Sequence, residues 1–153
     1  MESTTEVTVE KTVEIAASPE TVWELITDPA KATLWWGRSI VFDLRPGGAY
    51  TIEVNPTHTA SGEFVEIDPP HRLVYTWGWE AEAMSLVTPG STTVEMVLEP
   101  SGGGTLVRLT HSGLPNEESA QAHAEGWAHY LGRLRVVAQG GDPGPDPWAN
   151  PPE

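Results

Sequence analysis

The sequence predicts an α+β domain in which a curved antiparallel sheet of about six to seven strands wraps around one long C-terminal helix, with two short helices after strand one. Three observations predict it. Apolar and polar residues alternate along successive segments separated by Gly- and Pro-rich turns, the pattern of antiparallel hairpins. Two proline-initiated helical patterns interrupt the series near its start. One apolar stripe at helical spacing closes it, and no other element is long enough to cover a sheet face.

Val7, Val9, Val13 and Ile15 alternate with Thr8, Glu10, Thr12 and Glu14, which makes a half-buried first strand. Lys11 interrupts its apolar face. Ser18-Pro19 reads as a helix cap and first helical residue, and Val22, Trp23 and Ile26 then share a face. Asp28-Pro29 repeats the device and starts a second short helix through Trp36, which Gly37 ends. In the next strand Ile40, Phe42 and Leu44 share a face. Arg45–Gly48 is a tight turn with Gly47 and Gly48 supplying positive φ, and Tyr50, Ile52 and Val54 continue the face beyond it. Residues 59–67 form a fourth strand, which Asp68–His71 breaks. A fifth strand puts Leu73, Tyr75, Trp77 and Trp79 on one side, and 80–91 reads as a loop. Val94, Met96 and Leu98 point inward from the next strand, and Val107, Leu109 and His111 from the last. Asn116 caps the final helix, with Glu117 and Glu118 at its positive end. Ala120, Ala124, Trp127, Leu131, Leu134 and Ala138 form its stripe, and Arg133 and Arg135 lie near its negative end. The domain is expected to span 1–139. The Pro- and Gly-rich remainder, 140–153, is expected to be a disordered tail whose Trp148 is idle or, alternatively, docks back onto the domain.

Composition narrows the function. Among 153 residues, 22 are acidic and 8 basic, a net charge of −14. Nucleic acid and anionic membranes are therefore poor partners, and an acidic surface serves first as a solubility trait. No apolar run reaches membrane-spanning length, and "MESTTEVTVEK" lacks a basic stretch leading into an apolar one, so a cytoplasmic protein is expected. The lack of cysteine excludes disulfides and thiolate metal sites. No HExxH, Gly-x-Ser-x-Gly, Walker or dinucleotide fingerprint occurs. Neither a metal nor a cofactor is expected, and no catalytic residue is identified.

Seven tryptophans against two phenylalanines suit either a core or a pocket for greasy ligands. Trp35 and Trp36 are adjacent, so one regular helical stripe cannot bury both. One ring is expected to pack into the core and the other to line a cavity mouth. Alternatively, both plug the end of the sheet. The residues expected to face a cavity are Phe42, Tyr50, Ile52, Phe64, Tyr75, Trp77, Met96, Leu109, Trp127 and Leu131. A plain core would look the same. Among polar groups, His111 falls on the apolar side of its strand, and His123 lies one turn before Trp127, near a pocket rim. Either binds a ligand's polar end or is satisfied within the fold. The facing of His58 is undetermined, His129 and Glu125 should face away, and Arg38 is expected to cap a helix end or meet solvent.

Four segments in order, "VEKTVEIAASPETVWELITDPAKATLWWG", "RPGGAY", "GEFVEIDPPHRLVYTWGW" and "HAEGWAHYLGRL", resemble the activator-of-heat-shock-protein-90-ATPase homologue group within the START-like (SRPBCC, polyketide-cyclase-like) superfamily. The resemblance covers about residues 6 to 138. It implies the helix-grip fold, with a deep cavity between sheet and C-terminal helix. The best reading is a binder of a small hydrophobic or aromatic molecule and not an enzyme in the ordinary sense. The runner-up is a cyclase- or hydrolase-like enzyme in the same cavity, as superfamily relatives imply, and the third a chaperone-regulating partner, as the family resemblance implies. The third ranks last, because the separate N-terminal domain that the resemblance associates with eukaryotic activators is not in this sequence. A monomer or homodimer is expected.

Overall fold

The computed structural model describes residues 7–37, 39–55, 58–80 and 87–144. Arg38 and Trp148, singled out above, lie outside the described residues, as do 81–86 of the expected loop. In chain order the elements are β1 (Val7–Ile15), α1 (Pro19–Thr27), α2 (Pro29–Ala32), β2 (Ser39–Phe42), β3 (Ala49–Asn55), β4 (His58–Asp68), β5 (Arg72–Trp77), β6 (Thr92–Ser101), β7 (Gly104–Leu114) and α3 (Glu117–Ala138). The seven strands form one antiparallel sheet in the order β1-β7-β6-β5-β4-β3-β2. Register shifts at Val7/Val9, Glu53/Asn55 and Phe64/Glu66 add local bends, as bulges do. The curved sheet and the long C-terminal α3 make this a helix-grip fold.

Local chemistry starts each helix. The Ser18 hydroxyl accepts from Thr21 N at 3.2 Å, Asp28 Oδ1 from Ala30 N at 3.0 Å, and Asn116 Oδ1 from Ser119 N at 2.8 Å. Each satisfies an otherwise unpaired helix N–H. The inward residues of the strands, among them Val94, Met96, Leu98, Val107 and Leu109, join the buried face of α3 in one core. No helix among the described residues is long and apolar enough to cross a membrane.

The structure departs from the sequence reading in a few places. The second helix stops at Ala32, and Thr33–Trp36 form turns closed by bonds such as Leu34 N to Lys31 O and Trp35 N to Ala32 O. Both tryptophans are buried, while Leu34 is 54% exposed. Adjacent positions on a regular helix point about 100° apart, so leaving the helix lets both rings enter the same interior. Leu44 does not continue the β2 face but is exposed, because β2 ends at Phe42 and Asp43 already begins the turn, its N–H bonded to Ala49 O. In that turn Gly47 has φ 84°, whereas Gly48 is required by close approach: a Cβ there would lie 2.0 Å from Asp43 O. The fifth strand ends at Trp77, and Trp79 makes an isolated bridge to Ala60.

Candidate functional site

A small cavity lies between the inner face of β2–β6 and the α1–α2 corner. The sheet contributes Phe42, Tyr50, Ile52, Phe64, Leu73, Tyr75 and Met96, and Ile26 and Trp36 close the opposite side. About 10 Å³ is open to the centre of a water molecule, room for one water. The rings around it meet edge to face. Phe42 and Phe64 have centroids 5.4 Å apart at 84°, and Tyr50 and Tyr75 5.4 Å at 84°. Such contacts set the positive ring edge against a negative face.

Two hydroxyls belong to this wall, and they are treated differently. Tyr50 pairs with Gly62 across β3–β4, and its hydroxyl reaches over to donate to Thr76 O of β5 at 2.5 Å. Gly62 is needed there, because a Cβ would sit 2.2 Å from that same carbonyl oxygen. The Tyr75 hydroxyl is buried and, among the described residues, has only Met96 Sδ, at 3.9 Å. A thioether is a weak acceptor. Burial raises the pKa of both phenols, so both remain donors.

The adjacent tryptophans divide. Trp35 is fully buried and its indole N–H donates to Leu25 O at 2.9 Å. Trp36 stacks on Trp35 at 5.0 Å and on Trp77 at 5.9 Å, and lines the cavity.

Beyond Trp36 the interior carries a second group of rings. Trp127 Nε1 donates to His111 Nδ1 at 3.0 Å, so the His111 proton sits on Nε2. That proton goes to Thr92 Oγ1 at 2.8 Å, and the Thr92 hydroxyl donates on to Trp77 O at 2.9 Å. Next to it, Trp79 Nε1 donates to His123 Nε2 at 3.1 Å, and His123 Nδ1–H donates to Ser119 O at 2.8 Å. The two imidazoles lie 5.0 Å apart. Both are held neutral. Burial, helped by the neighbouring His123, lowers the His111 pKa to about 3. Burial also lowers that of His123, against the bond to Ser119. The Trp77 indole N–H is buried with no partner among the described residues.

Of the residues expected to face a cavity, Trp36, Phe42, Tyr50, Ile52, Phe64, Tyr75 and Met96 come together around it. Trp77, His111, His123 and Trp127 gather in the second group, and Leu109 and Leu131 pack in the core. Ile26 and Leu73 belong to the lining although the sequence analysis placed them only on apolar faces. Thr92 was missed. Its signal was alternation: it precedes Val94 by two residues and so shares that strand's inward face. His58 stands edge-on to Trp79 at 5.8 Å, His129 packs on Tyr130 at 4.7 Å, and Glu125 is exposed. Among the described residues no three His, Asp or Glu side chains gather as metal ligands.

An antiparallel sheet gripping a long C-terminal helix around an apolar interior defines a START-like protein. Residues 16–139 match the family model described as Activator of Hsp90 ATPase homolog 1-like protein, and the chain belongs to that family. An AHSA1-like protein from Rhizobium etli is 48% identical, with 97% of this chain and 92% of that one covered and a TM-score of 0.77. Two more distant structures share the fold. The Aha1 dimer from Colwellia psychrerythraea is 24% identical, covering 88% of this chain and 98% of that one, with a TM-score of 0.75. An HSP90 activator from Plasmodium falciparum is 24% identical, covering 85% and 94%, with a TM-score of 0.69. No curated protein matches in sequence.

Proposed function

We propose that this protein binds a small, uncharged hydrophobic molecule in the cavity between sheet and helices. The observation that carries this reading is the wall itself: among the described residues every lining side chain is apolar or aromatic, and none is charged. Pockets for small molecules have this character, with few polar groups to fix orientation. A charged guest would lose its hydration without a counterion, and the net charge of −14 further disfavours anions. Binding is favoured over acid–base catalysis because both nitrogens of His111 and of His123 are already engaged, so neither offers a free site for proton transfer.

The test is a thermal-shift screen of uncharged apolar compounds, followed by NMR of the Met96 methyl. Hits should raise the melting temperature and move the Met96 signal. If stabilising compounds move only outward-facing residues, the cavity is not the site.

A second reading, a chaperone-regulating partner, is favoured by the family's description and by the Plasmodium relative. Such a partner would use an outer surface, for which Val41 of β2 and Val65 of β4, 63% and 53% exposed, are available. Binding to a heat-shock protein 90 that persists in Trp36→Ala but fails in Val41→Glu would favour this reading.

A further inference from the structure

We infer that the guest carries one hydrogen-bond acceptor, a neutral carbonyl or ether oxygen, which the Tyr75 hydroxyl meets when the Trp36 ring turns aside. This rests on the reading of the cavity as a binding site and specifies what that site selects. Buried hydroxyls in folded proteins nearly always find an oxygen or nitrogen partner. In this wall Tyr50 does so, through Thr76 O. Tyr75, 4% exposed and on the same wall, has only the Met96 sulfur, at 3.9 Å, among the described residues. The wall therefore offers a donor whose present partner is easily replaced. Trp77 also lacks a partner for its N–H among the described residues, but it does not line the cavity.

Direction follows from chemistry. A phenol held by a weak acceptor gains most from a guest that accepts. Burial keeps Tyr75 protonated, so it stays a donor. A carboxylate would accept too, but no cation stands in the wall among the described residues to balance it.

Room follows from topology. The cavity admits about one water, so a larger guest needs a wall residue to move. Of the lining residues, only Trp36 stands outside a helix or strand. It sits in the turn after α2, next to Gly37 at φ 73°.

The test uses two probes of one shape, acetophenone and α-methylstyrene, which differ in a carbonyl oxygen against a methylene. Both are titrated into the wild-type protein and the Tyr75→Phe and Trp36→Ala variants, read by the Met96 methyl signal. Tyr75→Phe should weaken acetophenone by about fivefold, the worth of one neutral hydrogen bond, and leave α-methylstyrene within about twofold. Trp36→Ala should tighten both. If Tyr75→Phe weakens both probes equally, or neither, the acceptor assignment is overturned while the site survives. If Trp36→Ala tightens neither, the turning ring is overturned. If neither probe moves Met96 in the wild type or in Trp36→Ala, the binding site itself is wrong.

Discussion

Around His111 the interior polar groups hand hydrogen bonds from one to the next: Trp127 to His111, His111 to Thr92, Thr92 to the Trp77 carbonyl. Around Tyr75, a few residues away on the same sheet face, the chain of donors ends at a sulfur. Both regions are aromatic and buried, so composition does not separate them. Their bonding does. A region whose imidazoles and hydroxyl are engaged on every side, as here with only the Trp77 indole N–H left over among the described residues, is committed to holding the fold, because a guest would have to break existing bonds. A region with an incompletely used donor beside residual space can accept one at little cost. Trp36 stands between them, stacked on Trp77 and lining the cavity.

That contrast can be broken by substitution. Trp35→Ala should have the largest effect, a loss of about 3–5 kcal/mol in chemical denaturation, because it empties a fully buried ring site. Trp36→Ala should cost less, since its place adjoins space that already exists. Equal losses would erase the division between the two rings. His111→Leu should cost about 1–3 kcal/mol, because it strands the Trp127 N–H, while the Thr92 hydroxyl keeps its bond to Trp77 O and loses only a donor, and it should not change selectivity between the two probes.

Acid should act through the same region. An unfolded histidine titrates near 6.5, and His111 in the fold near 3. Between those values the unfolded chain binds more protons, so stability is full above about pH 6.5 and falls as pH drops, by up to about 1.4 kcal/mol per unit for this group. His123, lowered in the same direction, adds to the fall as pH drops below about 6.5. His111→Gln should flatten the slope of melting temperature against pH. An unchanged slope would mean that His111 does not carry it. The smallest effect belongs to Tyr75→Phe, which should change stability by less than about 1 kcal/mol, because it removes only a bond to sulfur. A larger loss would place Tyr75 with the committed region.

Most of the fold was legible because it rests on short-range signals. Ser18-Pro19, Asp28-Pro29 and Asn116 mark helix starts by chemistry that acts within a few residues. Alternation put Tyr50, Ile52, Met96 and Leu109 inward. Where a helix gives way to tertiary packing the signal fails. The pattern through Trp36 reads as helix, yet the burial of two adjacent rings ends it at Ala32. Which inward residues line the cavity was not legible either. That depends on the distance between α1 and the sheet, and alternation carries no such distance. The same limit hid the different bonding of Tyr50 and Tyr75, since Gly62 opens the path to Thr76 only once strand register is known.

Arg133 of α3 donates to the Trp35 carbonyl at 3.2 Å, and its other nitrogens reach the Pro143 and Gly144 carbonyls at 3.4 and 3.0 Å. Trp35 is thus clamped twice, by its indole and by its main chain. The gate beside it hangs from a bolted post. Trimming the chain before Pro143 would strip two of the bolts on Arg133, so the far end of the sequence should set how easily the gate opens.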